Sequence, residues 1–328
     1  MDKNKRSTIF GAALVIIGVL LGVKLGSAWV AEGRLQKGPL LRLPQGGLQK
    51  PTGVATQPPA TVPVGPAQPV GVTFDRADGK KVSLQYGPDC DYRPDATALL
   101  LQSLPWDLTG TEPTVLIIHT HATESYTKTP EESYLQSAEY RTLDTHYNMV
   151  KLGDYLAQML EEGGITVLHD RTLHDYPSYN SAYSNSRTAA EKYLQQYPSI
   201  QVVLDLHRDA VLLSDGSQYG PTVTVAGEAV AKLMLVVGTD ASGMHHPGWK
   251  DNLSFALKLQ ALLEGQAAGI TRPTLLRAQR FNHDLSAGAL IVEVGAAGNT
   301  LPEALRAMPY LARALIALCH GVKANSTT

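Results

Sequence analysis

The chain has 328 residues, 44% of them hydrophobic and 18% charged, with a formal net charge of -2. This composition suits a globular protein with one large core plus appendages, and so small a net charge gives no field for nucleic-acid binding. The two cysteines, Cys90 and Cys319, make no CxxC motif; they form one bridge or none, and any metal has to be held by histidines and carboxylates.

Lys3, Lys5 and Arg6 precede an apolar run from Ile9 to Val23, which Lys24 interrupts and Leu25 to Val30 continue. A spanning helix needs about 20 largely apolar residues, and Lys24 can snorkel toward the interface. The basic flank predicts a cytoplasmic tip and a body outside the cytoplasm. A cleaved signal peptide is the alternative, but Gly26-Ser27-Ala28 forms no A-x-A pattern, so residues 1–30 read as a single-pass anchor in the cell membrane. Residues 31–70 hold eight prolines and no periodic apolar pattern, the signature of an extended linker. Residues 71–92 alternate weakly around Asp78-Gly79, which predicts a small hairpin. The main domain is expected over 71–320, with its core at about 95–320 and a short tail over 321–328.

Inside the domain, strand and helix patterns alternate. Strands are expected at 115–118, 165–168, 200–206, 222–226, 233–237 and 289–294. Helices are expected at 147–162, ended by Gly163-Gly164, at 182–197, at 252–264, and at 302–318 with Pro302 near its first turn. Apolar strands alternating with helices predict an α/β fold with a mostly parallel sheet, flanked by helices on both faces.

The polar residues cluster where apolar strands end. Val115-Leu-Ile-Ile118 runs into His119, Thr120, His121 and Glu124, and ligands of open α/β sheets sit at the carboxyl ends of strands. The spacing His121-x-x-Glu124 suits a zinc site completed from elsewhere, because catalytic zinc takes three protein ligands and keeps a fourth position for water. A structural account of the same stretch has one histidine bonded in the core and the other on the surface. Ile200–Leu206 then delivers His207-Arg208-Asp209, and Ala289–Gly295 carries Glu293 within an apolar run. A buried carboxylate is costly unless paired or metal-associated, so three strands carry metal-binding or acid–base residues. No Gly-x-Ser-x-Gly elbow marks serine hydrolase chemistry. His245 and His246, in a loop beside Pro247, read as surface residues; His169, His174 and His320 show no partner pattern, and Trp249 reads as packing.

Five stretches in order resemble the stage II sporulation protein P (SpoIIP) family of endospore-forming bacteria. They are Ile118-His-Thr-His-Ala-Thr-Glu-Ser-Tyr126, Asn148–Leu156, Val203-Leu-Asp-Leu-His-Arg-Asp-Ala210, His246-Pro-Gly-Trp-Lys-Asp-Asn252 and Val292-Glu-Val-Gly-Ala-Ala-Gly-Asn-Thr300. The resemblance implies a membrane-anchored peptidoglycan hydrolase, similar in fold to zinc-dependent N-acetylmuramoyl-L-alanine amidases. It implies amidase and endopeptidase cleavage during engulfment, with SpoIID and SpoIIM as partners. It further implies Zn2+ on His121, His207 and a third ligand. Glu124 is the choice for that ligand and His146 the rival, since it stands where related amidases place a Glu. His119 lies nearby, supporting the ligands or itself the first of them. Glu293 is the expected general base, and then acid, of the hydrolysis. Arg208 contacts substrate or pairs with Asp209, and Asn282, in Asn282-His283-Asp284, lines the cleft. Two other classes stay open: a non-catalytic wall-binding scaffold, which has no need of Glu293, and a zinc peptidase or deacylase of small substrates, which has no need of a tether.

Overall fold

A computed structural model describes residues 74–106, 108 and 111–326. The expected anchor and Pro-rich linker lie outside the described residues, among which no helix is long and apolar enough to cross a membrane.

The described elements are β1 (Leu84–Tyr86), α1 (Ala96–Leu101), β2 (Val115–Ile118), α2 (Met149–Glu162), β3 (Val167–His169), α3 (Ala182–Gln196), β4 (Val202–Asp209), β5 (Thr222–Val225), β6 (Glu228–Ala231), β7 (Leu233–Gly238), α4 (Trp249–Gln266), β8 (Thr274–Arg277), β9 (Gly288–Ala296) and α5 (Leu301–Ser326). Seven strands form one sheet in the order β1-β8-β7-β9-β4-β2-β3, while β5 and β6 pair as a separate hairpin. Every neighbouring pair in the large sheet is parallel except β7 with β9. The fold is thus the mostly parallel α/β arrangement expected. The strands β6 and β8 and the helix α1 are additional to the elements expected from the sequence.

Helix ends follow local chemistry. The Asn148 side chain accepts from Val150 N at 3.0 Å and starts α2, and Gly164, at φ 80°, closes the turn after it, a conformation open to glycine at no steric cost. Thr300 and Glu303 cap α5 reciprocally, with Thr300 N donating to Glu303 Oε2 at 2.9 Å and Glu303 N donating to Thr300 Oγ1 at 3.4 Å, the pattern of a capping box. The hairpin expected around Asp78-Gly79 is absent. Residues Asp78–Lys81 form a 3-10 turn instead, because Asp75 Oδ1 accepts from Ala77 N and Asp78 N. The strand that follows, β1, pairs with β8 in the main sheet. Cys90 and Cys319 are both buried, and no disulfide joins them.

The two faces of the sheet are covered unequally. Ile117, Leu204, Leu206, Leu290, Val292 and Val294 pack with apolar residues of α2, α4 and α5 in one large core. Leu116, Ile118, Val203 and Ala289 point the other way, against Ala190 of α3. Side chains alternate along a strand, so Asp205 and His207 share the α3 face with Val203. Glu293 shares it with Ala289 and Ile291. The open part of this thinly covered face is where the polar residues gather.

On the opposite face α2 passes over His119 and His169. His119 Nε2 lies 2.8 Å from His169 Nε2, and its Nδ1 lies 3.2 Å from Leu206 O. A Cβ at Gly153 would stand 2.5 Å from His119 Nε2 and 2.3 Å from His169 Nε2. In an ordinary helix interior Gly→Ala stabilises by about 1 kcal/mol. Here the sign reverses: Gly153→Ala is expected to lower unfolding stability by roughly 1–3 kcal/mol through overpacking. Urea unfolding of the full chain measures it, and a stabilised variant would show that α2 does not press on the histidine pair.

Candidate functional site

Strand β4 sits between β2 and β9, and its register sets the site. His207 is paired directly opposite Glu293, and Asp205 is opposite Ile118, the last residue of β2. Beyond Ile118 the chain turns through Thr120–Glu124, which brings His121 and Glu124 against β4. The His121 and His207 ring centroids are 5.3 Å apart. Glu124 Oε2 lies 3.8 Å from His207 Nδ1. Among the described residues, however, no three His, Cys, Asp or Glu side chains converge tightly enough to hold a metal ion. The compact His121–Glu124–His207 cage expected from the sequence is present as neighbouring pairs rather than as a closed triad.

Glu124 is the electrostatic centre of the cluster. Its Oε2 accepts from Arg208 N at 3.2 Å, and its Oε1 faces Arg208 Nη1 at 3.5 Å and Arg141 Nη2 at 3.4 Å. Burial works against ionisation, but Arg208 above all, then His207, His121 and Arg141, hold its carboxyl below the usual range. Arg208 also donates to Ser125 O and Tyr140 O, so it braces the loop after β2. The ion pair considered between Arg208 and Asp209 is not made: Asp209 pairs with Arg272 at 2.6 Å, because successive residues of a strand face opposite ways.

His207 is buried, which alone would lower its pKa. Asp205, by charge and contact, and then Glu124 and Glu293 raise it to about 10. His121 is stacked on Tyr179 at 4.5 Å, and burial pushes its imidazole down to about 4 against the pull of Glu124. Glu293 is half-buried, and its Oε2 is buried with no hydrogen-bond partner. Desolvation and then Asp209 raise its carboxyl to about 8, with His207 acting in the other direction. Arg141 lies 4.6 Å from the centre of the Tyr179 ring and pairs with the buried Asp175 at 2.6 Å.

Three expected site residues stand elsewhere. His119 belongs to the α2 face; both its ring nitrogens are engaged by Leu206 and His169, and burial followed by the His169 charge lowers it to about 3. His146, the rival third ligand, is exposed and bonded to Asp144 Oδ1 at 2.9 Å. Asn282 donates to Tyr183 O and Ser186 Oγ, each at 3.1 Å, and so ties the turn before β9 to α3. Asp284 in the same turn pairs with Arg187 and Arg280. His246 is buried rather than on the surface. His174 pairs with Asp170 at 3.0 Å, and Trp249 packs, stacked on Tyr92 at 5.0 Å.

The residues missed are Asp205, Arg141, Asp175 and Tyr179. Asp205 had a signal, since position i-2 on a strand shares the face of His207. Arg141, Asp175 and Tyr179 come from irregular segments after β2 and β3, where no periodicity marks which side chains turn inward.

The donor types at this face fit zinc, which takes imidazole nitrogen and carboxylate oxygen. His121 Nδ1 and Glu293 Oε2 are buried without partners, and His207 lies among the carboxylates of Asp205, Glu124 and Glu293, whose charge a bound cation would offset.

The sequence matches the family model described as Stage II sporulation protein P over residues 71–316. It is 28% identical over 216 residues to Stage II sporulation protein P of Bacillus subtilis (strain 168), a match covering 62% of this chain and 50% of that protein; the chain spans about half the length of this curated relative. Among solved structures it is similar to the N-acetylmuramyl-L-alanine amidase Ami1 from Mycobacterium smegmatis, at 12% identity and a TM-score of 0.40, covering 67% of this chain and 99% of that one. It is also similar to the CwlD amidase from Clostridioides difficile in complex with the GerS lipoprotein, at 12% identity and a TM-score of 0.39, covering 65% and 98%. With three quarters of its length matched, in the stretch that holds the whole His121–Glu124–His207–Glu293 cluster, the chain belongs to the stage II sporulation protein P family.

Proposed function

We propose that the chain is a zinc-dependent peptidoglycan hydrolase. It cleaves the amide between the lactyl group of N-acetylmuramic acid and L-alanine, and also peptide bonds of the wall as an endopeptidase. It acts in engulfment during sporulation alongside SpoIID and SpoIIM partners, held at the cell membrane by residues 9–30 with its domain outside the cytoplasm. The observation that carries this reading is the pairing of His207 with Glu293 across β4 and β9, with an unpartnered Glu293 Oε2 and an unpartnered His121 Nδ1 on the same side of the sheet. Family membership supports the substrate.

His121, Glu124 and His207 would hold Zn2+, which when bound lowers the pKa of water and polarises a carbonyl. Glu293 accepts a proton from the attacking water and gives it to the departing amine as the C–N bond breaks. A carboxyl raised toward neutrality by its surroundings suits that exchange in both directions. Arg208 and Arg141 keep Glu124 ionised and fixed, and Tyr179, 53% exposed beside His121, forms an open wall of the site.

The full chain should bind about one zinc, and His207→Ala should lose most of it. Unchanged zinc content in both His121→Ala and His207→Ala rules the ligand set out. Glu293→Gln should keep fold and zinc while wall cleavage drops on the order of 10²-fold or more, the scale of a lost acid–base group. The assay is release of soluble muropeptides with detection of new L-alanine amino termini. Wild-type rates in Glu293→Gln would remove it from the mechanism, and a zinc-loaded wild type that binds wall without cutting it would favour the scaffold reading. The chain should also fractionate with membranes; a soluble mature form beginning near Trp29 or Ala31 would refute the anchor.

A further inference from the structure

Asp205 lies under His207 with a buried side chain and a hydrogen-bond network of its own. Thr120 N donates to Asp205 Oδ1 at 2.7 Å and Thr120 Oγ1 to Oδ2 at 2.6 Å. Thr120 Oγ1 is 2.7 Å from Ser186 Oγ, which accepts from Asn282 Nδ2 at 3.1 Å. The network therefore ties β4 to the end of β2, to α3 and to the turn before β9. Burial opposes the Asp205 charge, but His207 and Thr120 hold its carboxyl down to about 2. Asp205 Oδ1 is 2.9 Å from His207 Nε2, an ion-pair contact. Nε2 is buried and makes no aligned hydrogen bond, so its contact with Asp205 is one of charge and short distance. The other ring nitrogen, Nδ1, faces Glu124.

We propose that Asp205 is a positioning residue of the metal site: it engages the Nε2 side of His207 and leaves Nδ1, on the Glu124 side, as the ligating atom. This rests on the ligand set of the proposed function and adds which nitrogen binds and what orients it. A carboxylate on the far nitrogen fixes tautomer and ring plane and raises the basicity of the ligating one. Because both Asp205 oxygens are already fixed by Thr120, the carboxylate has little freedom to swing into the ligand set itself.

Two measurements on the full chain test it. The first is the nitrogen spectrum of the zinc-loaded protein carrying 15N-histidine. His207 should show a protonated Nε2 and a metal-bound Nδ1; a metal-bound Nε2 overturns the proposal, and it does so without any variant. The second is competition with a zinc chelator. Asp205→Asn, which keeps shape and the Thr120 contact but removes the charge, should weaken zinc binding roughly 10- to 100-fold, the usual effect of losing such a partner. Thr120→Val should weaken it less, through the same carboxylate. The apo melting temperature, read in parallel, separates this from general loss of fold, which would move melting and zinc affinity together. Unchanged zinc affinity in Asp205→Asn overturns the proposal, whereas a wild-type chain that binds no zinc overturns the ligand set and this inference with it.

Discussion

Strand β4 is paired on both sides in parallel, with β2 and with β9, and that register is the constraint on which the site depends. Side chains on a strand have a period of two, so a slip of one residue would send every side chain to the opposite face. The register is fixed by the apolar alternation: Val202, Leu204 and Leu206 are committed to the large core, which leaves Asp205 and His207 facing α3. Once β9 is in register, Glu293 stands opposite His207, and its apolar neighbours Val292 and Val294 prevent it from going elsewhere. The core therefore places the polar residues by excluding the alternatives.

The unequal layers complete this placement. Three helices cover one face and α3 covers part of the other, so charge can gather there without being sealed inside the main core. Even so, the cluster is dry enough that His121, Glu124, His207 and Glu293 shift in response to burial and to their neighbours. Glu124 stays ionised because Arg208 approaches it from β4 and Arg141 from the segment after β2, while Glu293, without a cation bonded to its Oε2, is driven the other way. Two carboxylates beside the same imidazole, that of His207, thus acquire opposite properties, one held ionised and the other pushed up toward neutrality.

The His119–His169 pair illustrates how similar residues serve different ends. His119 and His121 are two positions apart, yet one is locked under α2 and the other stacks on Tyr179. The chain turns out of the strand between them, so the rule that i and i+2 share a face no longer applies.

The sequence by itself determined the alternation of strands and helices, the mostly parallel sheet, and the three strand ends at His121, His207 and Glu293. These are set by local periodicity and by the cost of a charge in an apolar run, both readable along the chain. The hairpin it suggested near Asp78 does not form, because the Asp75 carboxylate bonds the backbone of Ala77 and Asp78 and outweighs the weak alternation around it. Nor did the sequence show that His119 and His121 face opposite ways, that His146 is exposed beside Asp144, or that Asp205, Arg141 and Tyr179 are neighbours of the cluster. Those were decided by the tertiary structure, because contacts between loops far apart in sequence follow from the sheet order β9-β4-β2 and from how each loop leaves its strand, and neither has a period that a sequence can display.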